Sequence, residues 1–302
     1  MIFVILLLLI LLGIEYYICE KCLMLIVKPV RHSYETMRRQ DIDNGFSEAI
    51  DAYENKWNRK DFELNCDDAV IRGELIINPH AKENKAAIIC HGHTANRYSA
   101  IKYAKLFYDR GYNIVIYDER FFGRSGGDFS TLGEKESKDL AKIIDFTRET
   151  FKDCFLALHG ESMGAATALL VLQYEKADLV IADCPFSDST RLFNEYIVRN
   201  MHIPPVFVVP FMKILARMQY RYHITSTSPI KAVSQSDVPI CFMHGTDDTL
   251  IVCDHSKVMY DVCRNPLSEL NLFDGADHAM SIVSNPKRYE EILDSFLRSC
   301  NG

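Results

Sequence analysis

The stretch HGESMG, residues 159–164, places one serine between two glycines at the point where a strand-like run changes into a helix-like run. The apolar residues 155–158 precede it, and residues 165–172 follow it with the composition of a helix. Glycine on both sides allows a strand and a helix to approach closely, because neither flank carries a side chain. The pattern therefore predicts a tight turn that holds Ser162 exposed in a strained conformation, as in the G-x-S-x-G turns of serine nucleophiles.

The segments around this turn alternate between short apolar runs and helix-length amphipathic segments. The apolar runs are AAIICHG, YNIVIYD, FLALHGES, LVIADCP, PICFMHG and LNLFDG. Runs that are apolar on both faces are typical of a parallel sheet covered by helices. Ahead of them, DFELNC and VIRGELIIN flank two aspartates and predict a hairpin. The sequence thus predicts an α/β fold with a mostly parallel central sheet.

Residues 187–228 interrupt this alternation with a connection of about forty residues, much longer than usual. The segment includes the apolar stretch IPPVFVVPFMKIL and is predicted to be a helical cap. Its prolines are expected to break it into short helices: Pro204, Pro205 and Pro210. Three apolar side chains are expected to cover the serine and bind substrate in an acyl pocket: Phe207, Phe211 and Met212. The alternative is that these side chains only pack the cap onto the core.

Candidate partners for Ser162 follow two later strand-like runs, in HGTDD (residues 244–248) and GADHAMS (residues 275–281). A serine hydroxyl is a poor nucleophile until an imidazole takes its proton, and a carboxylate must orient that imidazole. His278 is the candidate base and Asp248 the candidate acid, with Asp247 as a competitor and Asp183 as a further candidate. The order Ser, Asp, His is the one found in α/β-hydrolases.

Residues 62 to 300 resemble the α/β-hydrolase superfamily, and most closely its bacterial esterase-like and prolyl-oligopeptidase-related branch. The motifs that carry the resemblance are CHGHTANR, YDERFFGRSGG, and SPIKAV followed by VPICFMHGTDD. The resemblance implies an α/β-hydrolase fold in which Ser162 is the nucleophile, His278 the general base and Asp248 the acid. It also implies an oxyanion hole made by the backbone N–H groups of Met163 and His93, with Thr94 as the alternative second donor.

The function that this resemblance implies is hydrolysis of carboxylic esters through an acyl-enzyme, without a metal or organic cofactor. The alternative in the same class is a serine peptidase or amidase of the prolyl-oligopeptidase-related type, which would act on short peptides. A non-catalytic binding protein on the same fold is the third reading, since fold alone does not determine function. A net charge of -7 without a basic cluster in the body of the chain argues against binding to nucleic acid.

The N-terminus is almost wholly aliphatic over residues 1–14 and stays apolar to Cys19, which is long enough to span a bilayer. No basic residue precedes Lys21, so the segment does not look like a cleavable signal peptide. We expect a transmembrane anchor with its juxtamembrane segment at residues 1–32 and a hydrolase domain at residues 33–302. Basic residues follow the apolar run, which predicts a cytoplasmic catalytic domain. An interfacial or buried helix is the alternative.

Overall fold

Eight strands form one sheet in the computed structural model, which describes residues 2–81 and 84–301. They are β1 (Asn58–Cys66), β2 (Ala69–Ile77), β3 (Lys85–Cys90), β4 (Asn113–Tyr117), β5 (Phe155–Glu161), β6 (Leu179–Asp183), β7 (Ile240–Gly245) and β8 (Glu269–Phe273). Their spatial order is β1-β2-β4-β3-β5-β6-β7-β8. The hairpin β1–β2 is antiparallel and β2 joins β4 antiparallel, whereas the strands from β4 to β8 pair in parallel. The predicted mostly parallel sheet is confirmed.

Helices cover both faces of this sheet. The α-helices are α1 (Ile2–Val27), α2 (Tyr34–Asp43), α3 (Ser47–Asn55), α4 (Ile101–Tyr108), α5 (Glu134–Thr150), α6 (Met163–Leu170), α7 (Ser189–Met201), α8 (Pro205–Tyr220), α9 (Pro229–Gln235), α10 (Asp254–Tyr260), α11 (Ser281–Ser284) and α12 (Pro286–Asn301). Successive side chains of a strand point to opposite faces, so β4 sends Ile114 and Ile116 toward α3, α4 and α12, and Val115 toward α5 and α6. Burial on both faces explains the continuous apolar runs in the sequence.

The cap consists of two helices, α7 and α8, rather than several short ones. Residues 202–204, which end in Pro204, separate the two helices, and Pro205 is the first residue of α8, where a missing N–H costs nothing. Pro210, however, lies inside α8, so the expectation that every proline would interrupt the helix is wrong at this position. A buried apolar face, which includes Val208 and Met212, stabilises α8 and offsets the hydrogen bond that Pro210 cannot donate.

Helix α1 has two parts with different surroundings. From Ile2 to Leu12 its side chains are exposed, whereas Cys19, Leu23 and Val27 near its end are buried against the cap. Among the described residues, α1 is the one helix long and apolar enough to cross a membrane, and 6% of its most apolar 18-residue stretch is buried. A core helix of a soluble protein would be mostly buried, so α1 differs from one, and both a membrane anchor and a signal sequence have this length and composition.

Candidate active site

The turn between β5 and α6 holds Ser162 with φ 56° and ψ −117°, a conformation that side-chain-bearing residues rarely adopt. Both flanking glycines are required by close backbone contacts. A Cβ on Gly160 would lie 2.3 Å from the carbonyl oxygen of Gly164, and a Cβ on Gly164 would lie 2.3 Å from that of Cys90. No larger residue fits at either position without moving the main chain, and the strained turn presents the Ser162 hydroxyl at the carboxyl edge of the sheet.

A continuous hydrogen-bond chain leads away from this hydroxyl. The Nε2 atom of His278 lies 2.9 Å from Oγ of Ser162, and its Nδ1 atom lies 2.7 Å from Oδ2 of Asp248. The other carboxylate oxygen of Asp248 accepts from the backbone N–H groups of Leu250 (2.9 Å) and Ile251 (2.7 Å). The structure thus brings together the three residues predicted from three separate stretches of sequence, and the carboxylate is itself held in place.

Neither of the two other candidate acids contacts His278 among the described residues. Asp247 is exposed, and its carboxylate accepts from the hydroxyl of Thr246 at 3.2 Å. Asp183 is fully buried at the end of β6, where it accepts from the hydroxyl of Ser281 at 2.8 Å. The geometry therefore favours Asp248 as the partner of the imidazole.

The charges of Asp248 and His278 stabilise each other. Burial lowers the pKa of His278, but the hydrogen bond and negative charge of Asp248 outweigh it and raise that pKa above its ordinary value. Burial raises the pKa of Asp248, but hydrogen bonds from His244 and His278 hold it well below the usual range. The carboxylate therefore stays ionised and favours the protonated imidazole that forms when a serine loses its proton.

His244, near the end of β7, is held by hydrogen bonds from both ring nitrogens and not by packing alone. Its Nε2 atom lies 3.2 Å from Oδ2 of Asp248 and 2.7 Å from the carbonyl oxygen of Ile251, while its Nδ1 atom lies 2.7 Å from the hydroxyl of Ser256. Because Asp248 Oδ2 and the Ile251 carbonyl oxygen are both acceptors, the Nε2 atom of His244 must carry the proton. His244 thus holds the loop on which Asp248 sits, and the signal in the sequence was its spacing of four residues from Asp248.

The two N–H groups predicted to form an oxyanion hole belong to the loop after β3 and to Met163, the first residue of α6 and the neighbour of Ser162. Within the described ranges, the backbone N–H groups of His93 and Met163 donate to no protein acceptor. The loop itself is anchored, because the ring Nε2 of His93 hydrogen-bonds the carbonyl oxygen of Ile26 in α1 at 3.0 Å. Thr94 adopts a positive φ of 70° in the same loop. The assignment of the two donors stays a prediction.

Two pockets meet at Ser162. The first, here called the apolar pocket, has a volume of about 270 Å³ and lies under the cap. The second, here called the polar pocket, has a volume of about 350 Å³ and lies beside α2. Both include Ser162 and His93, whereas His278 lines the polar pocket alone. A group bonded to the serine oxygen therefore has one apolar and one polar space beside it.

Of the three cap residues expected to bind substrate, the structure brings only Met212 to the apolar pocket. Phe207 is 63% exposed on the outer face of α8, and Phe211 is half-buried against the cap without lining either pocket. Because α8 continues through Pro210, its helical period places Val208 and Met212 on the inner face and Phe207 on the outer one. The predicted role of Phe207 assumed a broken helix and is not supported.

The end of α1 supplies a wall of the apolar pocket that sequence reasoning missed. The pocket is lined by side chains from α1, α7 and α8, among them Cys22, Leu25, Ile26, Leu192, Phe193, Ile197 and Met212. The signal in the sequence was the second apolar stretch, residues 22–27, which continues past the charged pair Glu20 and Lys21. A membrane span alone would have no need of these residues beyond its charged end.

Comparisons with known proteins agree with this architecture. The family model described as Serine aminopeptidase, S33 (Hydrolase_4) matches residues 81–236. The chain is 32% identical over 229 residues to "Uncharacterized protein YqkD" of Bacillus subtilis (strain 168), covering 74% of each chain. The structure is similar to the esterase Pf2001 of Pyrococcus furiosus with a TM-score of 0.67 and 23% identity, over 82% of this chain and 95% of that one.

A second solved structure is the acylaminoacyl peptidase of Pyrococcus horikoshii, with a TM-score of 0.60 and 15% identity. The likeness covers 84% of this chain and 43% of that one. At such identities the solved structures show the shared fold alone. They include one enzyme described as an esterase and one described as a peptidase.

Proposed function

Because the chain belongs to the Hydrolase_4 (serine aminopeptidase, S33) family and has the α/β-hydrolase fold, we propose that it is a serine hydrolase of carboxylic esters. The observation that carries the proposal is the unbroken chain from Ser162 Oγ through His278 to Asp248 on a strained turn. This arrangement activates a hydroxyl and stabilises the imidazolium that forms when the imidazole takes the hydroxyl proton.

In the proposed mechanism, Nε2 of His278 takes the proton from Ser162 as Oγ attacks the ester carbonyl. The negative charge that develops on the carbonyl oxygen is stabilised by the N–H groups of His93 and Met163. His278 then donates its proton to the departing alcohol, which leaves an acyl-enzyme. Water, activated by the same imidazole, releases the acid and restores Ser162. Asp248 keeps the proton of the neutral imidazole on Nδ1 throughout.

The lining of the apolar pocket favours an ester over an aminopeptidase substrate. An aminopeptidase must bind the α-ammonium group next to the acyl carbon, which calls for an anionic side chain on the acyl side. No aspartate or glutamate is among the described residues that line the apolar pocket. An uncharged acyl chain suits this space, whereas a buried ammonium group there would remain unpaired.

A matched comparison of substrates tests this choice. We expect p-nitrophenyl butyrate to be hydrolysed with a kcat/KM at least about a hundredfold above that of alanine p-nitrophenyl ester, which has the same leaving group, since an unpaired ammonium group is costly to bury. The measurement is release of the chromophore by the full-length protein in detergent. A faster reaction with the aminoacyl ester would support the alternative, a peptidase, which agrees with the description of the family model as a serine aminopeptidase.

Acyl chain length is expected to depend on the apolar pocket and not on the outer face of α8. Met212→Ala and Leu192→Ala should shift the optimum of a p-nitrophenyl ester series toward chains longer by about two carbons, since each buried methylene contributes up to about 0.8 kcal/mol. Phe207→Ala is the matched control, because Phe207 is 63% exposed and outside the pocket. Thermal unfolding of each variant checks that the fold is retained. An unchanged profile in both pocket variants would place the acyl chain elsewhere.

Helix α1 is proposed to anchor the enzyme in a membrane with the catalytic domain in the cytoplasm. We expect the full-length protein to stay in the membrane fraction after alkaline carbonate extraction, whereas a form without residues 2–14 should be soluble and active. The truncation keeps Cys22, Leu25 and Ile26, which line the apolar pocket. Export with cleavage of α1, or recovery of the full-length chain as a soluble protein, would contradict the anchor.

A further inference from the structure

The loop after β3, residues 91–97 and here called the oxyanion loop, is held by the core of the domain at its two ends. At its start, the ring Nε2 of His91 accepts from the backbone N–H of Glu119 at 2.9 Å. At its end, the backbone N–H of Arg97 donates to Oδ1 of Asp118 at 2.9 Å. The proposed oxyanion donor lies between these two fixed points and needs support of its own.

The middle of the oxyanion loop is held by the chain that runs from the end of α1 toward α2, here called the bridging segment, residues 26–32. The ring Nε2 of His93 donates to the carbonyl oxygen of Ile26 at 3.0 Å, since a carbonyl oxygen can only accept. The backbone N–H of His32 donates to the carbonyl oxygen of Thr94 at 2.9 Å. Thr94 has a φ of 70°, which a residue with a side chain keeps only where its surroundings enforce it.

The bridging segment is fixed to the core by contacts that do not involve the oxyanion loop. The carbonyl oxygen of Val27 accepts from the backbone N–H of Ser130 at 2.9 Å. The guanidinium group of Arg31 donates to the carbonyl oxygen of Phe121 at 3.0 Å and lies 5.1 Å from the centroid of the Phe121 ring. The segment is thus a fixed support against which the loop can be held.

The position of the oxyanion loop determines how well two separate donors meet one oxygen. Met163 is the first residue of α6, so its N–H is placed by that helix. The N–H of His93 has to be placed by the loop, and its ring bond to the bridging segment restrains the same residue. Loss of one oxyanion donor lowers kcat by about a hundredfold to a thousandfold, and a misplacement of about 1 Å can cost about a hundredfold.

We propose that the bridging segment positions the oxyanion donor, through the hydrogen bonds that Ile26 accepts from His93 and that His32 donates to Thr94. Ile26 and His32 are then positioning residues, because they act through the loop and not on the reacting atoms. This inference rests on the proposed hydrolysis and assigns the support of one of its two donors. It holds whether or not α1 enters a membrane.

The first test removes a single backbone donor from the full-length protein in detergent. His32→Pro lacks the N–H that bonds Thr94. With p-nitrophenyl butyrate, its kcat should fall about tenfold to a hundredfold while KM stays within about threefold, since the lost contact matters only when negative charge develops. Val30→Pro is the matched control, because Val30 is 73% exposed and its N–H donates to no acceptor among the described residues. Its kcat should stay within about twofold of the wild type.

A second pair of variants tests the ring contact without removing the backbone N–H. His93→Ala loses the donor to Ile26, and its kcat should fall by a similar factor. His93→Gln carries an amide N–H at about the reach of Nε2 and should recover most of that loss.

An alkyl trifluoromethyl ketone supplies a readout that a general structural change would not give. Ser162 adds to its carbonyl carbon, and the oxygen becomes an anion that both oxyanion donors bind. In His32→Pro and His93→Ala, the inhibition constant should rise by about the factor by which kcat falls.

Thermal unfolding of each variant shows whether it is folded, and the His93 pair decides alone where His32→Pro is not. Unchanged kcat in both folded variants, His32→Pro and His93→Ala, would overturn the proposal. A loss of kcat with an unchanged inhibition constant would also overturn it, as would an equal loss in Val30→Pro. Hydrolysis of no ester by the wild type would instead overturn the proposed function.

Discussion

Replacing Ser162 with alanine is expected to lower kcat for p-nitrophenyl butyrate by about four to six orders of magnitude, because no other group replaces the nucleophile. The residual rate would come from the oxyanion donors and from substrate binding alone. The same variant should no longer be labelled by a fluorophosphonate, which reacts with an activated serine hydroxyl. The two measurements are independent of the natural substrate.

Ser234→Ala is the control for this experiment, since its hydroxyl is exposed and donates to the carbonyl oxygen of Lys231. It should keep full activity and labelling. Thermal unfolding should show Ser162→Ala to be folded. Labelling of folded Ser162→Ala at the wild-type level would remove Ser162 from the role of nucleophile.

Asp248→Asn should lower kcat by about ten-thousandfold, close to the effect of losing the base itself. The amide can present an N–H to Nδ1 of His278, which places the imidazole proton on Nε2 and removes the acceptor for the Ser162 proton. Asp247→Asn makes the same change one residue away on an exposed side chain and should leave kcat within about twofold. Equal losses in the two variants would mean that the acid is wrongly assigned.

The dependence of kcat/KM on pH gives a second measurement for the same pair. His278 acts as a base only when neutral, so activity must fall as pH drops through its pKa. Asp248 raises that pKa above the ordinary value of about 6.5, and the wild-type midpoint should therefore lie above about 6.5. In Asp248→Asn the residual activity should lose this raised midpoint, which moves to lower pH. A midpoint that stays in place would show that Asp248 does not interact with the base.

Local patterns in the sequence predict the sheet, the serine at residue 162 and the strand ends that carry the candidate base and acids. Gly160 and Gly164 flank Ser162 because of contacts between adjacent elements of the chain, and such contacts leave a local motif. His278 and Asp248 follow strands, and parallel strands bring their carboxyl ends to one edge. Short motifs and the order of strands therefore place a serine, a histidine and an aspartate at one edge, whereas the resemblance to α/β-hydrolases was needed to choose Asp248 over Asp247.

Contacts between distant segments leave no such pattern. Asp41 lies ahead of the first strand, outside every motif quoted from the sequence, and its pairing with Lys102 exists only because α2 packs beside the polar pocket. The position of Phe207 depends on whether Pro210 breaks the cap helix, which tertiary packing decides and propensity does not. In both cases the structure depends on contacts between residues far apart in the sequence, and the spacing of apolar residues within a helix or strand does not predict such contacts.

Helix α1 joins the proposed membrane anchor to the wall of the apolar pocket without a break. At a rise of about 1.5 Å per residue, the step from Tyr17 to Cys22 is only about 8 Å along the helix axis. If the exposed part of α1 lies in a bilayer, as proposed, Ser162 would work near a lipid surface, and apolar esters would reach it from a two-dimensional pool. Their partition coefficients then set the local concentration that the enzyme meets. Such an enzyme selects substrates twice, first by how strongly each collects in the membrane and then by how each fits the two pockets.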